Sequence, residues 1–310
     1  MKEVLVITDD KKSSINQCLA LINSLKKKKK LRFEHKIINR KLIHEFPNII
    51  IYYFLIFKSF FKKKEIKKTD CIISCGRISA PYSLILKKEL KCKNIHILDP
   101  YFYKKRFDKI ILPSHDNYKN LELKNVIQIT GTLVKKEKIL KSKIDKFNKL
   151  ITRKKIITCF VGGDGRSSRF NKSDIINLIN GINHIKSNYD FVYCLSRRTT
   201  SNIKELILEK KKRNHFLFEY KEINPYWYLI ERSSFFIVSQ DSVSMISDSI
   251  STGKPVFIFK IKFLKEKIKK FLNILFKKGI VKFFDGKISY YKYKPVNESL
   301  RVIKMIDNLF

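Results

Sequence analysis

Short runs of β-branched and aromatic residues alternate with amphipathic stretches along most of the chain. These runs predict strands at residues 3–8, 33–38, 71–75, 95–98, 109–112 and 126–130, and again at residues 155–161, 191–196, 215–220, 235–239 and 256–260. Helices are predicted between them at residues 14–29, 80–91, 172–187, 202–213 and 242–252. Several strands are apolar throughout, which is typical of parallel sheets covered by helices on both faces.

This alternation occurs twice, and it predicts an α/β protein with two doubly wound, Rossmann-like domains. We expect an N-terminal domain at residues 1–150 and a C-terminal domain at residues 151–310, connected by the Lys-rich stretch 135–155. A terminal helix at about residues 296–310 is expected to pack back on the N-terminal domain. Ligands of such domains bind beyond the carboxyl ends of the strands, so the turns at those ends are the candidate sites.

Polar turns follow four predicted strands of the second domain. Three glycines in four positions follow residues 155–161 and allow the backbone to approach a phosphate, although the pattern is neither G-x-G-x-x-G nor a P-loop. Two adjacent arginines follow the next strand and suit a diphosphate. The four turns predict a binding site formed by Gly162, Gly163, Asp164, Ser196, Arg197, Arg198, Thr199, Thr200, Asn224, Pro225, Tyr226, Gln240, Asp241, Ser242, Ser244, Met245 and Asp248.

The last of these turns opens a helix. Ser242 is a good N-cap, Gly253 is a good residue to end the helix, and Pro255 prevents its continuation. The N–H groups at the start of such a helix favour an anion. Asp248, two turns into the helix, is placed to accept hydrogen bonds from a sugar or ribose hydroxyl. The same strand–helix pattern also occurs in α/β scaffolds that bind nothing at this point.

The first domain offers fewer candidates. Asp9 follows the first predicted strand, and Asn16 and Gln17 come soon after it, where polar residues either hold a ligand or cap a helix. Arg77, after residues 71–75, is either an anion contact or an ordinary surface arginine. A histidine and an aspartate follow residues 109–112, and histidine titrates near neutral pH. The candidates for a general acid or base are therefore His115, Asp116 and Asp9.

The segment 46–61, FPNIIIYYFLIFKSFF, is apolar on nearly all sides and is followed by a group of lysines. Its longest unbroken apolar run has nine residues, well below the ~20 needed to span a bilayer. An interfacial helix over residues 46–68 on an anionic membrane explains both the aromatic residues and the lysines. A helix buried in the core is the alternative. We expect a cytoplasmic protein, peripheral on the inner face of the cytoplasmic membrane.

The formal net charge of +39, from 67 Lys and Arg against 28 Asp and Glu, raises the question of nucleic-acid binding. The lysines are scattered over the whole length, and no nucleic-acid motif accompanies them, so we expect no specific nucleic-acid partner. The six cysteines form no C-x-x-C pair and the six histidines are isolated. Neither a disulfide nor a metal site is therefore predicted, and a reducing compartment is favoured.

Taken in order, the strings SCGRISAPYSL, FVGGDG, SRRTT, NPY and DSVSMISDSISTGKPV resemble the mitochondrial fission ELM-type family over nearly the whole chain. The family looks like GT-B glycosyltransferases, in which two Rossmann-like domains face each other across a cleft and the C-terminal domain grips a nucleotide sugar. The resemblance implies that residues 239–248 hold the donor. The chain departs from the family at Asp10 and Ser13, where glycines are usual, and at Asp248-Ser249, where Glu-Ala is usual.

The resemblance implies, as a first hypothesis, a metal-independent glycosyltransferase-like enzyme that moves a sugar from a nucleotide-sugar donor to a cell-envelope acceptor. The donor is then a substrate, and no cofactor is expected. Arg197, Arg198 and the helix end at Ser242 would neutralise the diphosphate. The second hypothesis is a non-catalytic adaptor that uses the same fold as a docking surface, as proposed for organelle-division relatives. Nucleic-acid binding rests on charge alone and ranks last.

Overall fold

A computed structural model of the protein describes residues 1–59, 68–116, 123–135, 139, 145, 147–149, 151, 155–165, 168–185, 189–219 and 224–310. The chain divides into two compact units. Unit 1 comprises Met1–Lys135 together with Asn297–Phe310, and unit 2 comprises Lys136–Val296. The division falls earlier than residue 150 because Phe147 and Ile151 are buried in the core of unit 2. Much of the Lys-rich stretch 135–155 lies outside the described residues.

Parallel strands and helices alternate through most of both units. The strands are β1 (Lys2–Asp9), β2 (Leu31–Ile38), β3 (Cys71–Cys75), β4 (Lys93–Ile97), β5 (Lys109–Pro113), β6 (Val126–Ile129), β7 (Ile156–Val161), β8 (Ser168–Arg169), β9 (Asp190–Leu195), β10 (Phe216–Phe218), β11 (Ser233–Ser239), β12 (Val256–Phe259), β13 (Phe263–Leu264) and β14 (Lys282–Phe283). The main helices of the described residues are α1 (Lys12–Lys26), α2 (Asn48–Ser59), α3 (Ser79–Leu90), α4 (Lys172–His184), α5 (Ser201–Lys210), α6 (Tyr226–Arg232), α7 (Val243–Ile250), α8 (Glu266–Lys277) and α9 (Glu298–Ile306).

Unit 1 is built on a six-stranded parallel sheet in the order β2-β1-β3-β4-β5-β6. Helix α1 buries Cys18, Leu21 and Leu25, which recur at helical spacing and face one side of this sheet. The C-terminal helix α9 belongs to the same unit, because Val302 and Ile306 are buried in the same cluster. The ends of the chain therefore meet in one core.

Unit 2 has a second parallel sheet in the order β10-β9-β7-β11-β12-β14. Its four interior strands β9, β7, β11 and β12 are almost entirely buried, as expected for strands that helices cover on both faces. Helix α4 is fixed at its start by Asn171 and Asp174, which cap each other's backbone N–H groups. A small antiparallel pair, β8 with β13, lies beside the main sheet.

The predicted fold class is confirmed, since all eleven predicted strands form and lie in two parallel α/β sheets. Helix α8 was not predicted, although it has helical spacing of buried apolar residues, namely Ile268, Phe271, Leu272 and Leu275. Strands β8, β13 and β14, which have two residues each, were not predicted either. No helix in the described part of the chain is long and apolar enough to cross a membrane.

Candidate functional site

The strand order of unit 2 reverses at one point of its sheet. The chain moves from β7 outward through β9 to β10, and then returns to the other side of β7 with β11 and β12. In doubly wound sheets the turns on either side of such a reversal leave a crevice, and ligands bind there beyond the carboxyl ends of the strands. The predicted turns after β7, β9 and β11 meet at this point.

The three turns are joined by an ion pair between Arg198 and Asp241. Asp241 Oδ2 accepts hydrogen bonds from Arg198 Nη2 at 2.6 Å and from Gly163 N at 3.3 Å. Arg198 Nη1 also donates to the carbonyl oxygen of Gly163 at 3.0 Å. The Asp241 side chain has no exposed surface, while 39% of the Arg198 side chain is exposed. Both terminal nitrogens of Arg198 thus donate hydrogen bonds within the protein. Arg198 therefore differs from an arginine whose guanidinium is free to contact a diphosphate.

The environment of Asp241 makes this pair important for the fold. Burial raises the pKa of the Asp241 carboxyl, and the contacts with Ser239, Arg198 and the Gly163 N–H oppose that rise. Asp241 Oδ1 is buried without a hydrogen-bond partner among the described residues. Removal of Arg198 would therefore leave a buried carboxylate with little compensation.

Hydroxyl groups complete the connection between the turns. Ser239 Oγ accepts a hydrogen bond from Gly162 N at 2.8 Å. Thr199 Oγ1 accepts from Ser196 N at 2.9 Å and donates to the carbonyl oxygen of Gly162 at 2.6 Å. Backbone groups of the β7 turn are in this way satisfied by side chains of the two neighbouring turns.

The glycines after β7 allow the turns to approach one another. A Cβ atom added to Gly162 would lie 2.1 Å from Asp241 Oδ1, and one added to Gly163 would lie 2.0 Å from the carbonyl oxygen of Arg198. The space left by the missing side chains is therefore filled by protein. Close packing explains these glycines, whereas the sequence analysis attributed them to close approach of a phosphate.

Arg197 and the first turn of α7 are exposed parts of this edge. Arg197 is exposed and has no hydrogen bond or ion pair with any other described residue. Ser242 Oγ caps α7 by accepting a hydrogen bond from Met245 N at 3.3 Å, and Ser244 is exposed in the first turn of that helix. A free guanidinium and a helix N-terminus are both suited to an anion.

Asp248 is placed differently from what we expected. It is buried, and its Oδ2 accepts a hydrogen bond from the Tyr226 hydroxyl at 2.6 Å. Burial raises the pKa of Asp248 to about 7, and the bond from Tyr226 opposes the rise. The Tyr226 ring packs on Phe160, with 4.8 Å between the centroids. The hydrogen bond that Asp248 Oδ2 accepts thus comes from a protein side chain, whereas we expected it from a sugar or ribose hydroxyl.

Three further predicted side chains stabilise the turns that carry them. Each accepts a hydrogen bond from a backbone N–H: Asp164 Oδ1 from Phe170 at 2.9 Å, Asn224 Oδ1 from Tyr226 at 2.9 Å and Gln240 Oε1 from Ile261 at 3.0 Å. These bonds are typical of loops in which Asp and Asn replace a backbone acceptor.

The remaining predicted residues of unit 2 lie at helix starts or in the core. Thr200 and Pro225 are the residues that precede α5 and α6, and neither makes a side-chain cap bond. Ser196 Oγ accepts from Arg198 N at 3.1 Å. Met245 is half-buried against the core of unit 2.

In unit 1 the strand order reverses between β1 and β3, and Asp9 lies there. Asp9 is buried, its Oδ2 is 3.5 Å from Lys11 Nζ, and its Oδ1 has no hydrogen-bond partner among the described residues. Gly76 follows β3 with φ +89°, and a Cβ there would lie 3.7 Å from Asp9 Oδ2. Gln17 is buried and Asn16 half-buried on α1.

Arg77 fixes the segment that precedes α2. Its Nη1 donates to the carbonyl oxygen of Phe46 at 2.9 Å and to Asn48 Oδ1 at 3.3 Å, and its Nη2 donates to the carbonyl oxygen of His44. These bonds account for the guanidinium structurally, so Arg77 is neither a free anion contact nor an unattached surface arginine.

His115 and Asp116 are both buried in the turn after β5. Because β3 and β4 separate β5 from β1, this turn lies three strand spacings from Asp9, or about 14 Å. The three acid–base candidates are therefore at two different places, and Asp9 cannot share one reacting atom with His115.

The sequence analysis missed the strained loop after β4. Leu98, Tyr101 and Tyr103 have positive φ values of 74°, 61° and 39°. Asp99 is buried and accepts hydrogen bonds from Tyr101 N at 2.7 Å and Lys104 Nζ at 3.0 Å. The Asp-Pro pair directly after a strand was the available signal. Backbone strain of this kind is maintained only where the surroundings enforce it.

Within the described residues, no group of three or more His, Cys, Asp or Glu side chains is placed to hold a metal ion.

Comparisons with known proteins place the chain in a family. The family model described as mitochondrial fission ELM1 matches residues 14–310. The chain belongs to this family. It is 27% identical to the uncharacterized protein RP120 of Rickettsia prowazekii, over 98% of this chain and 97% of that protein. It is 25% identical to the mitochondrial fission protein ELM1 of Arabidopsis thaliana, over 74% of this chain and 61% of the plant protein. The predicted family is thereby confirmed.

Solved structures with the same architecture show the GT-B-like fold of this ELM1-family chain. The UDP-GlcNAc 2-epimerase of Methanocaldococcus jannaschii has a TM-score of 0.65 at 12% identity, with 99% of each chain covered. The enzyme of the same name from Neisseria meningitidis, bound to UDP-GlcNAc, has a TM-score of 0.59 at 16% identity, covering 99% of this chain and 91% of that one. MurG of Acinetobacter baumannii has a TM-score of 0.53 at 10% identity, covering 100% and 91%.

Proposed function

We propose that this protein is a glycosyltransferase-like enzyme whose unit 2 binds a nucleotide-sugar donor at the carboxyl edge of β7, β9 and β11. One observation carries the proposal: the Arg198–Asp241 pair and its neighbours join three turns at the reversal point of the sheet, and Arg197 and Ser244, in the first turn of α7, are exposed there. A preorganised cationic edge is what a diphosphate requires. The solved relative that carries UDP-GlcNAc supports a ligand of this class.

The proposed roles follow from what each group can offer. Arg197 and the N–H groups at the start of α7 neutralise the diphosphate, and no metal takes part. Arg198 positions the turn that carries Arg197. The candidates for the general base are Asp9, His115 and Asp116. The acceptor is a component of the cell envelope.

Titration calorimetry with UDP and a panel of nucleotide sugars tests the proposal. Arg197→Ala should weaken the binding of any nucleotide that binds the natural protein by about 1.5–3 kcal/mol, the contribution of a charge-assisted hydrogen bond. Arg213→Ala, another exposed arginine of unit 2, is the matched control and should have no effect. Binding by no nucleotide, or equal affinity in the Arg197 variant, contradicts the proposed site.

A non-catalytic adaptor is the second candidate, and one contact favours it. The Tyr226 hydroxyl donates to Asp248 Oδ2, a group that an enzyme of this type would direct at its donor. The name of the Arabidopsis relative also points to organelle division. A protein that binds no nucleotide sugar and transfers no sugar to lipid extracts in the presence of labelled donors would be the adaptor.

We also propose that the protein associates peripherally with the inner face of the cytoplasmic membrane through α2. One face of α2 packs on unit 1 through Ile51 and Tyr52. The opposite face exposes five apolar side chains, which we call the α2 stripe: Ile49, Ile50, Tyr53, Phe54 and Phe57. At 100° per residue they cover about 140° of the helix circumference. The lysines that follow, at residues 62–64 and 67, lie outside the described residues.

The α2 stripe supports the interfacial helix over the alternative of a core helix, because a core helix would not expose its aromatic residues to solvent. A Phe54→Ser/Phe57→Ser variant should lose binding to vesicles of anionic phospholipid. Leu300→Ser/Met305→Ser removes two exposed apolar side chains from α9 and is the matched control. Equal vesicle binding by the two variants contradicts docking through α2.

A further inference from the structure

A cavity of about 430 Å³ lies in unit 1 between α2, α3 and the loop before β5. Three of its lining residues are apolar or aromatic and four are basic: Tyr52, Leu84 and Cys92, with Lys87, Lys88, Lys91 and Arg106. We call it the basic pocket. A cavity with an apolar wall and several cations suits an amphiphile with a negatively charged end.

The charge of the basic pocket is only partly compensated. Lys87 Nζ is 2.8 Å from Asp108 Oδ2. Lys88, Lys91 and Arg106 are exposed, and none forms an ion pair with a carboxylate of the described residues. The end of α3 attracts lysines through the helix dipole, which accounts for a part of this cluster. Arg106 lies outside α3, and the dipole does not explain its place there.

The basic pocket is continuous with the α2 stripe. The Arg106 guanidinium lies 4.0 Å from the centroid of the Tyr103 ring, and its Nη1 is 3.4 Å from the Tyr52 hydroxyl. The hydroxyls of Tyr103 and Tyr53 are 2.9 Å apart, and Tyr53 belongs to the stripe. A chain of direct contacts therefore joins the cations of the pocket to the apolar side chains on the exposed face of α2.

We propose that the basic pocket holds the phosphate headgroup of an anionic membrane lipid while the α2 stripe enters the acyl boundary beside it. The inference rests on the peripheral association proposed above and adds the residues that select lipid charge. A free phosphate would explain the cations and not the adjoining apolar stripe. A second copy of this chain, with its own large positive charge, would be repelled by the pocket.

Co-sedimentation of the full chain with vesicles at physiological salt tests the proposal, using phosphatidylcholine alone and phosphatidylcholine with phosphatidylglycerol. Lys88→Glu/Lys91→Glu should lower binding to the anionic vesicles at least about 25-fold, since each lost basic residue at an anionic surface contributes roughly five-fold and each added glutamate is repelled. Lys27→Glu/Lys28→Glu is the matched control, because these exposed lysines also end a helix of unit 1 and the change in net charge is equal. Its effect should be clearly smaller, because neither lysine lines the basic pocket.

The outcomes separate the pocket from the membrane proposal. Loss of binding in the pocket variant alone supports the pocket. If the Phe54→Ser/Phe57→Ser variant loses binding while the pocket variant keeps it, the stripe docks and the pocket does not. Equal losses in the pocket variant and its control mean general charge attraction and overturn the pocket. Absence of vesicle binding by the natural chain overturns both proposals, and binding of glycerol phosphate by the pocket in that case would mean a free phosphate ligand. A dimer of the natural chain that the Phe54→Ser/Phe57→Ser variant dissociates also overturns both proposals.

Discussion

The reversal points of the two sheets differ in how their carboxylates are used. In unit 2, Asp241 is held by Arg198 at 2.6 Å and by a backbone N–H, and the neighbouring turns are in contact with one another. In unit 1, Asp9 has one exposed partner, Lys11, at 3.5 Å, and one oxygen without a hydrogen-bond partner among the described residues. Each carboxylate keeps one oxygen without a hydrogen-bond partner among the described residues, but Asp241 contacts two neighbouring turns at close range, whereas the ion pair of Asp9 is with one exposed lysine of its own turn. We therefore expect the stability of the unit 2 edge to depend on its ion pair and that of the unit 1 edge to depend little on Lys11.

The largest expected effect concerns the buried acid behind the unit 2 edge. The pKa of Asp248 is raised to about 7 in the folded protein, against 3.8 for an ordinary aspartate. The folded state then retains a proton that the unfolded chain releases. The resulting stabilisation is present below about pH 4 and is lost as the pH rises through 7. The free energy of unfolding of the natural protein should fall by up to about 4 kcal/mol through this group.

Asp248→Asn should remove that part of the pH dependence, and urea denaturation at pH 4 and pH 8 measures it. Tyr226→Phe removes the hydrogen bond that opposes the shift and should move the loss of stability to higher pH. Parallel stability profiles for the natural protein and the Asn variant would show that Asp248 does not titrate in this way.

Next in size is the difference between the glycines of the two edges. An alanine at Gly163 would place its Cβ 2.0 Å from the backbone of Arg198, so Gly163→Ala should cost at least about 3 kcal/mol. At Gly76 the added Cβ has ordinary contacts and only the positive φ is unfavourable, so Gly76→Ala should cost about 1 kcal/mol. Denaturant midpoints compare the two variants. Equal losses of stability in the two variants would show that packing is no tighter around Gly163 than around Gly76.

The two adjacent arginines should separate stability from binding. Arg198→Ala breaks the pair with buried Asp241 and should lower stability by about 2 kcal/mol, less than for a fully buried pair because Arg198 is partly exposed. Arg197→Ala should change stability by less than about 0.5 kcal/mol, as expected of an exposed side chain without partners. Thermal denaturation of both variants, beside the nucleotide titrations, is the measurement. A stable Arg198 variant would mean that the pair is dispensable.

The smallest effect is expected at the ion pair of unit 1. The Lys11 side chain is 65% exposed, so Lys11→Ala should change stability by no more than about 0.5 kcal/mol although Asp9 itself is buried. The same denaturation assay applies. A loss of stability as large as that of Arg198→Ala would show that both edges depend equally on their ion pairs, against the difference inferred above.

The sequence by itself determined the two parallel sheets, because apolar runs such as those of β7 and β11 fit only strands covered on both faces. It also determined the family and the positions of the polar turns, since turn and cap residues act locally. Helix α8 was readable from its apolar spacing as well.

Only the tertiary structure decided what the side chains in those turns do. Arg197 and Arg198 are indistinguishable as neighbours in the sequence, and they differ because Asp241, 43 positions further on, reaches one of them. Asp248 is paired because the start of α6 brings Tyr226 to it, and the α2 stripe is exposed because Ile51 and Tyr52 take the other face inward. These contacts join segments that are distant in the sequence. The local pattern of polar and apolar residues does not indicate which distant side chain will contact a given residue.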